Sequence, residues 1–107
     1  MSTPESLFEV ETRLGFRVRV PVARWQLIIT TKHPAMNERE LDARRTLADP
    51  DEIRRSNSDA DVFLFYTIER PGRWICAVVK RVDEHDAFLI TAYPTDAIKE
   101  GTRIWTK

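Results

Sequence analysis

The chain has 107 residues, and its 17 Lys and Arg balance 17 Asp and Glu for a formal net charge of zero. That length predicts one domain over 1–107 with a substantial core, and the balance excludes a uniformly basic surface of the kind that binds nucleic acid by bulk charge. Cys76 is the only cysteine, which excludes an internal disulfide and a cysteine-based zinc site; with no membrane-length apolar run and no secretory leader, the expectation is a cytoplasmic protein without a membrane partner.

Residues 1–6 read as a frayed start. From Leu7 the pattern alternates, with Phe8, Val10, Thr12 and Leu14 on one side and Glu9, Glu11 and Arg13 on the other. Gly15 then marks a turn, and Phe16, Val18, Val20 and Val22 alternate with Arg17, Arg19 and Pro21. This predicts a hairpin at a sheet edge with one face buried. Pro21 favours the edge placement. Residues 25–31 continue as an apolar extended segment up to Lys32-His33-Pro34.

Pro34 disfavours helix at His33. Asn37 as cap and Glu40 three residues later predict a helix through Leu41 to about Leu47, with Leu41 and Ala48 on its buried side. Asp49-Pro50-Asp51-Glu52 predicts a second, short helix anchored by Ile53. Residues 62–69 are almost continuously apolar, which predicts a central strand covered on both faces. Arg70-Pro71-Gly72-Arg73 is a turn, 74–82 a strand, 83–86 another turn, and 88–95 the last long strand, ended by Pro94. One helical turn over 97–101 and a short strand over 103–105 complete the chain. The predicted fold class is therefore α+β: an antiparallel sheet of four to five strands with two helices packed on one face.

Several residues carry chemistry. His33, between a strand end and a helix start, is either a general acid–base group or a surface histidine. Lys32 beside it adds positive charge. Arg44 and Arg45 share a helix but point about 100° apart, so only one of them can face a given site squarely. Thr91 and Tyr93 are two apart on one strand and face the same way, and polar groups on an apolar strand need partners. Lys80 ends an apolar strand face and either lines a site or reaches out to solvent. His85 belongs to an acidic turn and Cys76 to the core. Cations gather at 17–19, 44–45, 54–55 and 80–81 and acids at 49–52, 59–61 and 83–86, so a neutral chain can still carry a basic face. No metal-ligand cluster and no Gly-rich phosphate loop is visible, and neither a metal nor any other cofactor is expected.

The blocks Lys32-His33-Pro34, Arg44-Arg45-Thr46-Leu47, Asp49-Pro50-Asp51-Glu52-Ile53, Tyr66, Val78-Val79-Lys80, Ile90-Thr91-Ala92-Tyr93-Pro94 and Ile98-Lys99 with Gly101 resemble the phage-type members of the barnase–EndoU–colicin–RelE-like nuclease group, over about residues 25–105. The resemblance implies a RelE- or barnase-like fold. It also implies a toxin or mobile-element ribonuclease that needs no metal and cuts tRNA-like RNA, the 2′-OH attacking the adjacent phosphate to leave a 2′,3′-cyclic phosphate. Carried over, His33 is the acid–base group and Thr91 and Tyr93 act from the sheet. Lys32, Arg44 or Arg45, and Lys80 hold the phosphate, and Tyr66 is a further candidate. RNA as substrate and a cognate antitoxin or immunity protein as partner follow from the same resemblance. The alternative is a non-catalytic module that binds RNA or a protein, the latter by strand addition at the hairpin edge around residues 16–22.

Overall fold

The computed structural model describes residues 6–98 and 100–107; the frayed start expected at 1–6 falls almost wholly outside them, as does one residue of the helical turn expected at 97–101. Alternation of Phe8 and Val10 with Glu9 and Glu11 forms β1 (Ser6–Glu11). Gly15, at φ +89°, supplies a left-handed turn residue, and β2 (Arg17–Pro21) returns antiparallel with Val18 and Val20 fully buried.

The next segment departs from expectation. Residues 25–31 are not extended: the chain forms α1 (Val22–Leu27), a wide π-type turn (Ile28–Lys32) and a 3₁₀ turn (Pro34–Met36). The reason is period. Trp25 and Ile28, three apart, are the buried residues, while Gln26, Leu27, Thr30 and Thr31 are exposed. That spacing suits a helix packed on one side and outweighs the β-propensity of the Ile and Thr pairs. α2 (Glu40–Ala48) follows, burying Ala43, Thr46 and Leu47. Leu41 is 75% exposed, so the buried side lies elsewhere on the helix than Leu41 and Ala48 suggested. Asn37 does not cap α2. Glu40 instead opens it and accepts a hydrogen bond from the Trp25 indole at 3.2 Å, tying α1 to α2.

Five strands complete the chain: β3 (Glu52–Arg55), β4 (Val62–Arg70), β5 (Arg73–Arg81), β6 (Asp86–Thr95) and β7 (Thr102–Thr106). They join β1 and β2 in one seven-stranded sheet of order β1-β2-β6-β5-β4-β3-β7. All neighbours are antiparallel except β2 and β6, which run parallel through Arg17–Asp86, Val18–Ala87 and Arg19–Phe88.

The expected antiparallel sheet of four to five strands, RelE- or barnase-like, is thus corrected to a larger mixed sheet. Two segments account for the change. Residues 52–55 form a strand and not a second helix, because Ile53 is buried between Phe65 on β4 and Trp105 on β7. The first hairpin does not simply form an edge. Only β1 does, while β2 is paired on both sides, so the stretch 16–22 has no free edge for strand addition. Pro94 does not end β6 either; it pairs with Ile75 inside the strand. β2 reaches only to Phe88, and the missing N–H is tolerated where no further strand flanks β6.

α1 and α2 cover one face. There Phe16, Val18, Trp25, Leu47, Phe63, Phe65, Val79 and Leu89 make the main core. The other face carries a smaller cluster, Leu64, Tyr66 and Cys76, flanked by Trp74, Val78, Tyr93 and Ile98. β4 is apolar on both sides because it contributes to both clusters. The connection from Thr95 to Thr102 crosses this second face to reach β7. Ile98 packs on the cluster, and the Gly101 carbonyl accepts from Arg54 at 3.2 Å.

Candidate functional site

The second face gathers the polar groups worth attention. β-register places Tyr66, Cys76 and Tyr93 side by side on β4, β5 and β6. The thiol is fully buried, and the two tyrosines flank it on the neighbouring strands, directly opposite in register. Burial pushes the Cys76 thiol up to about 11, with the two phenols working against the rise. Burial, then the neighbouring Cys76, raises both Tyr66 and Tyr93 well above an ordinary phenol, so both stay protonated at neutral pH. Glu100 on the crossing connection adds a negative field on all three groups.

His33 completes the arrangement. The π-type turn ends with the His33 amide donating to the Ile28 carbonyl at 2.7 Å, five residues back. That wide turn carries the chain past the flank of β6 left open beyond Phe88. The imidazole then lies against the Tyr93 ring, with centroids 5.0 Å apart and planes tilted by 36°. Lys32 reaches the same flank, its Nζ 3.4 Å from the Ile90 carbonyl. Burial first, and the Lys32 charge second, lower the His33 pKa from its ordinary 6.5. The neutral, proton-accepting imidazole therefore dominates at pH 7. Thr91, two residues before Tyr93 and opposite Val78, shares this face. Its hydroxyl is buried and has no hydrogen-bond partner among the described residues.

The sequence-predicted residues divide cleanly. His33, Lys32, Thr91 and Tyr93 meet on one side of β6. Arg44 and Arg45 do not join them, because α2 lies on the opposite, helix-covered face; Arg44 sits over the Phe8 ring, 5.9 Å from its centroid. Lys80 shares the face of Tyr93 but lies four register pairs away, opposite Phe88, and is held by Asp59 at 3.1 Å. His85 is in the β5–β6 turn, at the far end of β6. Tyr66 was a further candidate through the resemblance and Cys76 was read as core; that both neighbour Tyr93 was legible only by aligning 62–69, 74–82 and 88–95 through their turns. Glu100 carried no signal in the sequence. Among the described residues no three His, Cys, Asp or Glu side chains are grouped to hold a metal, and no helix is long and apolar enough to cross a membrane.

No family model, no curated protein and no solved structure matches this chain.

Proposed function

We propose that the flank of β6 is a site for an RNA backbone and that the protein is a metal-independent endoribonuclease. The observation that supports this reading is the imidazole of His33, with lowered basicity, held against Tyr93 on an open flank of the sheet. Neutral His33 takes the proton of a 2′-OH. The freed oxygen attacks the adjacent phosphorus, the bond to the 5′-oxygen breaks, and a 2′,3′-cyclic phosphate remains. Lys32 neutralises a non-bridging phosphate oxygen. The departing 5′-oxygen takes its proton from water, and the Tyr93 phenol, packed by its ring on the imidazole, stays protonated throughout. Tyr93 thus acts through its ring, which orients the imidazole, while the Thr91 hydroxyl, buried on the same face, lines the wall behind the site and does not touch the substrate. A structured RNA such as tRNA is the proposed substrate, and a toxin or mobile-element role with a cognate inhibitor fits such an activity.

The test is cleavage of RNA in EDTA with mass-spectrometric identification of the ends. The wild-type protein leaves cyclic phosphates, and His33→Ala lowers the rate by about 10²–10⁴-fold with an unchanged melting temperature. Cleavage by the alanine variant at the wild-type rate would remove His33 from the mechanism, and no cleavage by the wild type would remove the nuclease reading. A second reading, non-catalytic RNA binding, has its own support. Trp74 and Phe88 lie partly exposed on the same face as Tyr93, and such rings stack unpaired bases. It predicts RNA binding without cleavage that Trp74→Ala weakens.

A further inference from the structure

On the helix-covered side, away from His33, a pocket of about 120 Å³ opens between α2 and the ends of β4 and β5. That is room for several waters or one small ligand. Arg39, Asp42, Arg45, Thr46, Thr67 and Glu69 supply its polar lining. The acceptors there are largely engaged. Glu69 gives one carboxylate oxygen to Arg39 and the other to Arg73 at 3.5 Å, and Asp42 Oδ2 accepts from Arg39 Nε at 2.8 Å. These contacts also fix the Arg39 guanidinium at the pocket wall. The Thr46 hydroxyl donates its hydrogen bond to the Asp42 backbone carbonyl at 2.7 Å.

What is left over is donors. The Thr67 hydroxyl is buried without a partner among the described residues. Arg45 meets no carboxylate among the described residues and carries five N–H groups. Counting Arg73, three guanidinium groups surround two carboxylates, so the site keeps a positive excess. A buried donor without an acceptor is costly, and an acceptor-rich anion relieves it. We infer that this pocket binds a small oxyanion, a phosphate or carboxylate group, between Arg45 and the Thr67 hydroxyl, with Arg39 as a fixed wall. This is independent of the nuclease reading, because the pocket and His33 lie on opposite faces of the sheet.

The experiment is calorimetric titration of the whole chain with inorganic phosphate, and separately with acetate, at constant ionic strength held by chloride. Saturable binding is expected. Tighter binding of phosphate assigns a phosphate group, and tighter binding of acetate a carboxylate. Arg45→Gln, an exposed position, weakens binding about tenfold or more, and Thr67→Val weakens it about fivefold. The melting temperature without ligand reports whether each variant is folded, and Thr67→Ser, which keeps the hydroxyl, restores binding if the valine disturbs the strand. Absence of saturable binding of either anion, or wild-type affinity in Arg45→Gln, overturns the inference.

Discussion

His33 illustrates how a residue takes its properties from the backbone that carries it. A regular helix through residues 28–32 would place the ring elsewhere; the five-residue hydrogen bond to Ile28 swings it onto Tyr93. Wide turns of this kind recur at functional positions. Partial burial and Lys32 depress its basicity below 6.5. The unfolded chain therefore holds the His33 proton more tightly than the folded one. As pH falls from about 6.5 through the lowered folded midpoint, the unfolded state takes up more protons and stability drops; above 6.5 both states are neutral and His33 contributes no slope. NMR titration is expected to give a midpoint below 6.5, and Lys32→Gln to raise it. A midpoint at or above 6.5 would contradict the packing described. Cys76 gives a second residue-scale prediction. A fully buried thiol with its pKa near 11 has almost no thiolate at neutral pH. Its reaction with a disulfide reagent is expected to be negligible in the native protein and to follow global unfolding in denaturant. Rapid labelling without denaturant would show that the second face opens.

At the scale of elements, the connection between β6 and β7 rests on one glycine. Gly101 has φ +84°, and a Cβ there would lie 2.6 Å from the Arg55 carbonyl oxygen, a backbone atom that cannot swing away. Gly101→Ala therefore combines left-handed strain with a clash and is expected to cost about 1–3 kcal/mol, read from denaturant midpoints; Gly72→Ala, with open space around it, meets only the strain. Equal losses in both variants would mean the close approach to β3 does not matter. The same elements show what the sequence could reveal. The three central strands were readable because their apolar runs are long and separated by plain turns, expected at 70–73 and 83–86 and found between Arg70 and Arg73 and between Arg81 and Asp86. The meeting of His33 with Tyr93 was expected only through the family resemblance, since no local pattern joins a residue before Pro34 to one inside β6. Two features were hidden for physical reasons. Asp49-Pro50-Asp51-Glu52 is a good helix start in isolation, yet Asp49 instead holds Arg13 at 3.1 Å and Lys107 at 3.0 Å, and Ile53 gains more by entering a strand between two neighbours. The face that α2 buries depended on a sheet whose extent local patterning did not show, so Arg44 and Arg45 were assigned to a site they do not reach.

For the molecule as a whole, the sheet is unequal along its width. β4, β5 and β6 pair over long stretches and are buried from the helix-covered side, with Phe65, Ala77, Val79 and Leu89 all at 0% exposure. β1 and β7 are the outer strands, and β7 is exposed along most of its length, including Ile104 at 41%. Across the molecule the surface charges are paired rather than uniformly basic, since Arg13, Arg17, Arg19, Lys80, Arg81 and Lys107 all stand beside acids. Such exposed pairs contribute about 0–1 kcal/mol each and cannot hold an edge strand alone. Local opening should then follow burial and pairing. In native-state hydrogen exchange, amides of β4, β5 and the part of β6 paired to β5 are expected to exchange only by global unfolding. β7 should open at lower free energy, followed by β1, which α2 partly covers through Phe8 and Arg44. Gly101→Ala should lower the protection of β7 and β3 while leaving the protection of β5 tied to global stability. If β7 proved as protected as β5 in the unsubstituted protein, the edge strand would be held by contacts beyond those of this sheet, and the description of its exposed outer side would have to change.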